Sequence, residues 1–163
     1  MARQFFLRGA ALLLFNVLLV MSAAGVGEAA FGAGDLCWTV KITQDDEGPV
    51  TQPGMLVKFH IKSLDTSTFV MTGVVNVTGD NPFIMTGTAT KIGTKIYANL
   101  VATQDHKVSE SGKLWRDMDI MRLTIDNATL SGSIFGVGDS FDRTTRVFDP
   151  MYASGTLTPK ACP

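Results

Sequence analysis

The chain has 163 residues, and its 14 basic and 15 acidic side chains leave a formal net charge of −1. That balance excludes the basic excess that nucleic acid or an anionic membrane surface would attract. The length fits one domain able to bury a real core.

The N-terminus has three parts in the order export requires. Arg3 and Arg8 make a positive start, Ala10 to Met21 is apolar except for Asn16, and Ser22 to Ala30 is rich in small residues. Residues 1–29 therefore read as a secretory signal peptide, and 30–163 as a single β-barrel domain. The apolar run of about 12 residues is short beside the roughly 20 that span a bilayer. Cleavage after Ala29 leaves Gly27 and Ala29 at the small-residue positions, and Ala24 is the next choice. An uncleaved anchor is the competing reading. No Cys follows either cleavage point, so nothing supports a lipid anchor. Without Arg3, Arg8 and Glu28 the exported part carries 12 basic and 14 acidic side chains. It is expected in the periplasm or outside the cell, with no membrane association after cleavage. In an oxidising compartment Cys37 and Cys162, at the two extremes of the domain, are expected to form a disulfide. Two buried free thiols are the alternative.

Beyond the leader, alternation at period two is pervasive, and Thr, Val, Ile and Phe are frequent. Eight strands are predicted: 36–44, 55–63, 69–78, 82–92, 95–103, 114–125, 128–137 and 151–159. Phe69-Val70-Met71-Thr72-Gly73 recurs as Phe83-Ile84-Met85-Thr86-Gly87, which reads as two strands solving one packing problem. The first strand puts Leu36, Trp38, Val40 and Ile42 inward, and the second Val57, Phe59 and Ile61.

Turn residues predict the registers. A three-residue loop at Gly79-Asp80-Asn81 sets Val75 against Met85 and Gly73 against Gly87. A II′ turn at Gly93-Thr94 sets Ala89 against Ala98 and Gly87 against Leu100. A two-residue turn at Asp126-Asn127 sets Leu123 against Leu130 and Met121 against Gly132. A one-residue slip would flip a whole face, so these choices constrain the fold.

One apolar face, sequential hairpins and inward glycines predict an all-β fold. It is an eight-stranded antiparallel up-and-down meander barrel of calycin-like layout, its first and last strands joined by Cys37–Cys162. A two-sheet β-sandwich is the alternative. The layout resembles avidins, lipocalins and the barrel of dirigent or allene-oxide-cyclase-like proteins. The resemblance is of layout only: Gly34-Asp35-Leu36-Cys37-Trp38 does not match the lipocalin Gly-x-Trp, and no residue role is carried over.

In such a barrel, connections 63–68, 93–94 and 126–127 lie at the disulfide end. Connections 45–54, 79–81, 104–113 and 138–150 lie at the other, where a scaffold barrel carries binding. In 138–150, Phe141, Arg143, Arg146 and Phe148 are candidate clamp residues. Parity in the sixth strand points Trp115, Asp117 and Asp119 inward near that mouth. Buried carboxylates are costly unless paired, so they could anchor a ligand or act as an acid–base pair. A β-bulge near Met118 would reverse that parity. Without one, Met118, Ile120, Phe135 and Val137 form an outer apolar patch suited to homo-oligomerisation.

No metal or cofactor is expected. His60 and His106 are the only histidines and lack zinc spacing. Asp45-Asp46-Glu47-Gly48 lacks alternating calcium ligands and reads as a solvated turn. Met71, Met85 and Met121 read as core filling. Asn76-Val77-Thr78 and Asn127-Ala128-Thr129 match glycosylation sequons. With no nucleophile elbow, phosphate loop or dinucleotide fingerprint, a binding protein is expected ahead of an enzyme. The leading expectation is a small, partly apolar ligand at the long-loop end. The alternatives are an interaction module using the outer patch, and a barrel isomerase or cyclase using Asp117 and Asp119.

Overall fold

The computed structural model describes residues 30–163 except 52, 76–80, 108–113 and 143–144, and the side chains of 106, 107, 114 and 115. Nine strands follow in chain order: β1 (Gly34–Asp45), β2 (Gly48–Pro49), β3 (Met55–Ser63), β4 (Thr68–Val75), β5 (Phe83–Ile92), β6 (Lys95–Lys107), β7 (Leu114–Asp126), β8 (Gly132–Asp142) and β9 (Val147–Lys160). Each pairs antiparallel with the next, except that β2 folds back on β1 and β1 pairs on to β3. Pairing of β1 with β9 closes the ring, from Cys37 opposite Lys160 to Asp45 opposite Ala153. The fold is thus a closed eight-stranded barrel with one two-residue extra strand, not a sandwich. Cys37 and Cys162 form the disulfide across the closure, 125 residues apart in sequence.

Alternation fills the interior with Trp38, Val57, Phe59, Ile61, Met71, Leu100, Leu123, Ile125 and Leu157. The disulfide end is plugged. Phe31 packs edge-on against Phe69 at 5.1 Å between ring centres, and the Trp38 Nε1–H donates to the Leu130 carbonyl at 2.7 Å. Around the disulfide end the interior is apolar and the outer face carries Lys58, His60, Lys62, Thr88 and Thr158.

The Gly93-Thr94 hairpin has the predicted register, with Ala89 opposite Ala98, Gly87 opposite Leu100 and Gly93 at φ 60°. Two other registers differ while keeping the predicted faces. Val75 lies opposite Phe83 and Gly73 opposite Met85, two residues away from the predicted pairing. The shift pairs each interior glycine with a methionine: Gly73 with Met85 and Gly87 with Met71. A Cβ on Gly73 would sit 2.6 Å from the Phe59 ring, so the large side chains occupy the glycine's space. The predicted turn residues 79–80 lie outside the described residues, as does Asn76 of the first sequon.

The β7–β8 connection runs through five residues rather than two. Asp126 Oδ1 accepts from the backbone N–H of Ala128 and Thr129 and from the Thr129 hydroxyl. Leu130, at φ 57°, turns in to close the barrel floor. The pairs are therefore Ile125–Gly132, Leu123–Ile134 and Met121–Gly136.

The predicted loop 138–150 is mostly sheet. β8 runs on to Asp142 and β9 begins at Val147. The predicted loop 104–113 likewise shortens, because β6 continues to Lys107. Pairing to the 13-residue β7 supplies ladder partners for 104–107 and 138–142, and pairing to β8 supplies them for 147–150, which their Gly, Asp and Pro content does not advertise. No bulge interrupts β7, whose ladders to β6 and β8 are continuous. The barrel's register shift lies instead in β1, between Ile42 and Gln44.

Candidate functional site

Strands β6 to β9 rise above the shorter β3 to β5 at the end opposite the disulfide. Their two faces carry different chemistry. On the inner face, β7 presents Asp117, Asp119 and Met121 in alternation, as predicted for an unbroken strand. β8 presents Ile134, Gly136, Gly138, Ser140 and Asp142. Ser140 and Asp142 are buried, and the Ser140 hydroxyl donates to Asp117 Oδ1 at 2.5 Å. Asp142 Oδ1 accepts the Thr145 N–H and fixes the β8–β9 turn. Asp119 lies opposite Ala102 on one side and Gly138 on the other. Half-buried, it has its carboxyl raised to about 6 by desolvation first, then by the charges of Asp117 and Asp139. Trp115 pairs by backbone with His106 and Asp142, and its side chain lies outside the described residues.

Below these carboxylates the barrel holds a void of about 70 Å³. It is lined only by apolar side chains, among them Met55, Met85, Met121 and Ile134. Neither Asp117 nor Asp119 lines it.

The outer face is different. Cross-strand pairing lines up Val101, Ile120, Val137 and Tyr152 in one row across four strands. Met118 and Phe135 flank it, and all six side chains are exposed. Phe141 and Phe148, opposite each other on β8 and β9, stack at 4.7 Å between ring centres at the top of this wall. Phe135 apart, these residues frame an open cleft of about 890 Å³ together with Arg116, Asp119, Gly138, Asp139, Pro150 and Met151. Arg116 holds Asp105 through two hydrogen bonds, 2.7 and 2.8 Å long. Among the described residues no three His, Cys, Asp or Glu side chains are placed to hold a metal ion.

The predicted candidates thus separate. Asp117 and Asp119 point inward and Phe141 and Phe148 outward, although Asp119 borders the same cleft as the two phenylalanines. Arg146 sits exposed at φ 59° in the β8–β9 turn, its N–H donating to the Asp142 carbonyl. Arg143 lies outside the described residues. Sequence reasoning missed Ser140, Asp142, Val101 and Tyr152. Continuing the alternation of Ile134 and Gly136 would have found the first two, but the other two join the site only through pairing partners. Of the sequons, Asn127 lies in the tight loop that Asp126 organises, with its side-chain oxygen buried and the Thr129 hydroxyl donating to Asp126. Comparison with protein-family models, with curated proteins and with solved structures gave no match.

Proposed function

We propose that this is an exported interaction module, a rigid barrel that presents the outer wall of β6 to β9 to a macromolecular partner. The observation that carries the reading is the uninterrupted exposed row Val101–Ile120–Val137–Tyr152, with Met118 and Phe135 beside it. Isolated surface hydrophobes need no explanation, but a contiguous patch of them marks a binding surface. Strand spacing makes this row alone about 15 Å wide. That width and the open shape of the cleft suit an extended surface better than an enclosed small molecule. Export is supported by the leader-like residues 1–29 and by the disulfide, a bond that persists in oxidising compartments. A photo-activated cross-linker placed at Val137 tests the reading, with one at exposed Thr88 as control. Adducts in the native host from Val137 and not from Thr88 are expected. Equal labelling at both positions, or none, contradicts the proposal.

A second reading places a small, partly apolar ligand in the cleft. The volume of about 890 Å³ and the stacked Phe141 and Phe148 favour it. Native mass spectrometry of protein from its own host would then show a bound mass that Val137→Trp, which fills the cleft, removes.

A further inference from the structure

We propose that the void inside the barrel is a binding site for the linear alkyl end of a small molecule whose head group is not an anion. The inference concerns the interior and does not rest on the outer wall. Protein cores leave few voids larger than a water molecule. This one, of about 70 Å³, is lined by apolar side chains alone. Such a void stays dry, and the groups around it lack contacts on one side. An apolar guest restores those contacts and strips no polar group of water.

Position separates it from a packing defect. The disulfide end of the core is closed by Phe31, Trp38, Phe69 and Leu130, all buried. The void lies toward the other end. Met55 and Phe83, the first residues of β3 and β5, line it at the rim, and Ile42 lines it beside the register shift in β1. Shifts of that kind recur at barrel rims and next to functional sites. Met55 is 47% exposed, and Ile42, Phe83, Met121 and Ile134 are only partly buried. The lining thus runs from the buried core to the open rim. Three of its members are methionines, Met55, Met85 and Met121, unbranched and able to turn aside for a guest.

Size and charge set the class of ligand. A cavity of about 150 Å³ holds benzene. About half that volume admits a narrow chain and not a ring. The head group then stays toward the mouth. Asp119 follows Met121 at the next inward position of β7, about 7 Å along the strand. Desolvation, then the charges of Asp117 and Asp139, already raise its carboxyl to about 6, so an anionic head meets repulsion there.

Methionine-methyl NMR of the secreted, disulfide-bonded protein tests this, with butan-1-ol, pentan-1-ol and hexan-1-ol as probes. Saturable shifts are expected at Met55, Met85 and Met121, with Met118 on the outer wall unmoved. Affinity should rise about 4-fold per added methylene until the void is full. Hexanoate at pH 8 should bind at least about 10-fold more weakly than hexan-1-ol. Ile134→Phe and Val75→Leu, two ways of occupying the void, should each weaken hexan-1-ol at least about 10-fold, while Ile92→Phe at an exposed position stays within about 2-fold. A circular dichroism melt checks that each variant folds. No saturable shift, or binding indifferent to both filling variants, overturns the proposal. Hexanoate bound as tightly as hexan-1-ol overturns the head-group class. Saturation at Met118 and Met151 in place of the interior methyls overturns the interior site and favours the cleft.

Discussion

The Asp119 side chain lies directly over Gly138 on the inner face of the β7–β8 ladder, where a Cβ on Gly138 would coincide with its carboxylate oxygen. The same Cβ would come within 2.7 Å of the Met118 carbonyl. Glycine here is required by close approach, because the carboxylate uses the space a side chain would take. Gly138→Ala is expected to destabilise the barrel by about 2 kcal/mol or more, an overpacking cost. Removing the carboxylate in Asp119→Ala should recover part of that cost, leaving the portion due to the Met118 carbonyl. Urea unfolding of the two single variants and the double variant measures the coupling.

Asp119 also gives the barrel a pH dependence of a definite sign. Its folded value of about 6 lies above the ordinary 3.8. The fold thus favours the protonated form. Its contribution to stability is fully present below about pH 4 and is lost as pH rises through about 6. Asp119→Asn should raise stability at pH 7.5 by on the order of 1–2 kcal/mol after allowance for solvent screening. The gain should vanish near pH 4. Asp126 works in the opposite sense. Backbone donation from Thr129 and the Lys95 ammonium hold its carboxyl down to about 2, so its contribution is present above about pH 4 and disappears as pH falls through 2. Thermal melts of wild type, Asp119→Asn and Asp126→Asn between pH 2 and 8 separate the two.

Reducing Cys37–Cys162 should leave the barrel's closure intact but loosen its unfolded state. With 125 residues between the cysteines, the chain-entropy model gives a loss of about 5 kcal/mol. Cys37→Ser/Cys162→Ser should lower the urea midpoint correspondingly, and adding reductant to the double variant should change nothing further.

The floor of the barrel depends on one hydrogen bond. Trp38→Phe keeps an aromatic ring in the core but removes the donor to the buried Leu130 carbonyl. A cost of about 1–3 kcal/mol is expected from the unpaired carbonyl, plus the loss of packed area. Hydrogen exchange should report the change first at Leu130 and Ser131, before the strands.

Faces were legible in the sequence; lengths of connections were not. Side-chain parity was right for the inner faces of β4 to β8, including the inward Asp117 and Asp119, because alternation is a local property of a strand. The Gly93-Thr94 hairpin was legible to the residue, since one glycine at positive φ sets its turn. The 127–131 loop was not: Asp126 organises it locally, but its Leu130 carbonyl is held by Trp38, 92 residues away in sequence. Gly138, Asp139 and Pro150 resemble loop residues; β7 pairs the first two into the sheet, and Asp139 on β8 pairs Pro150. The patch at Met118, Ile120, Phe135 and Val137 could be read from parity alone. Its extension to Val101 and Tyr152 needed the registers of β6 and β9.

The most direct test of the outer wall as a binding surface is carbene footprinting of the protein in its native host beside the same protein purified and diluted to about 1 μM. Met118, Ile120, Val137 and Tyr152 should label strongly when dilute and be protected in the host, while Thr88 and Lys62 label equally in both. Equal labelling of the four wall residues in both settings would contradict the account.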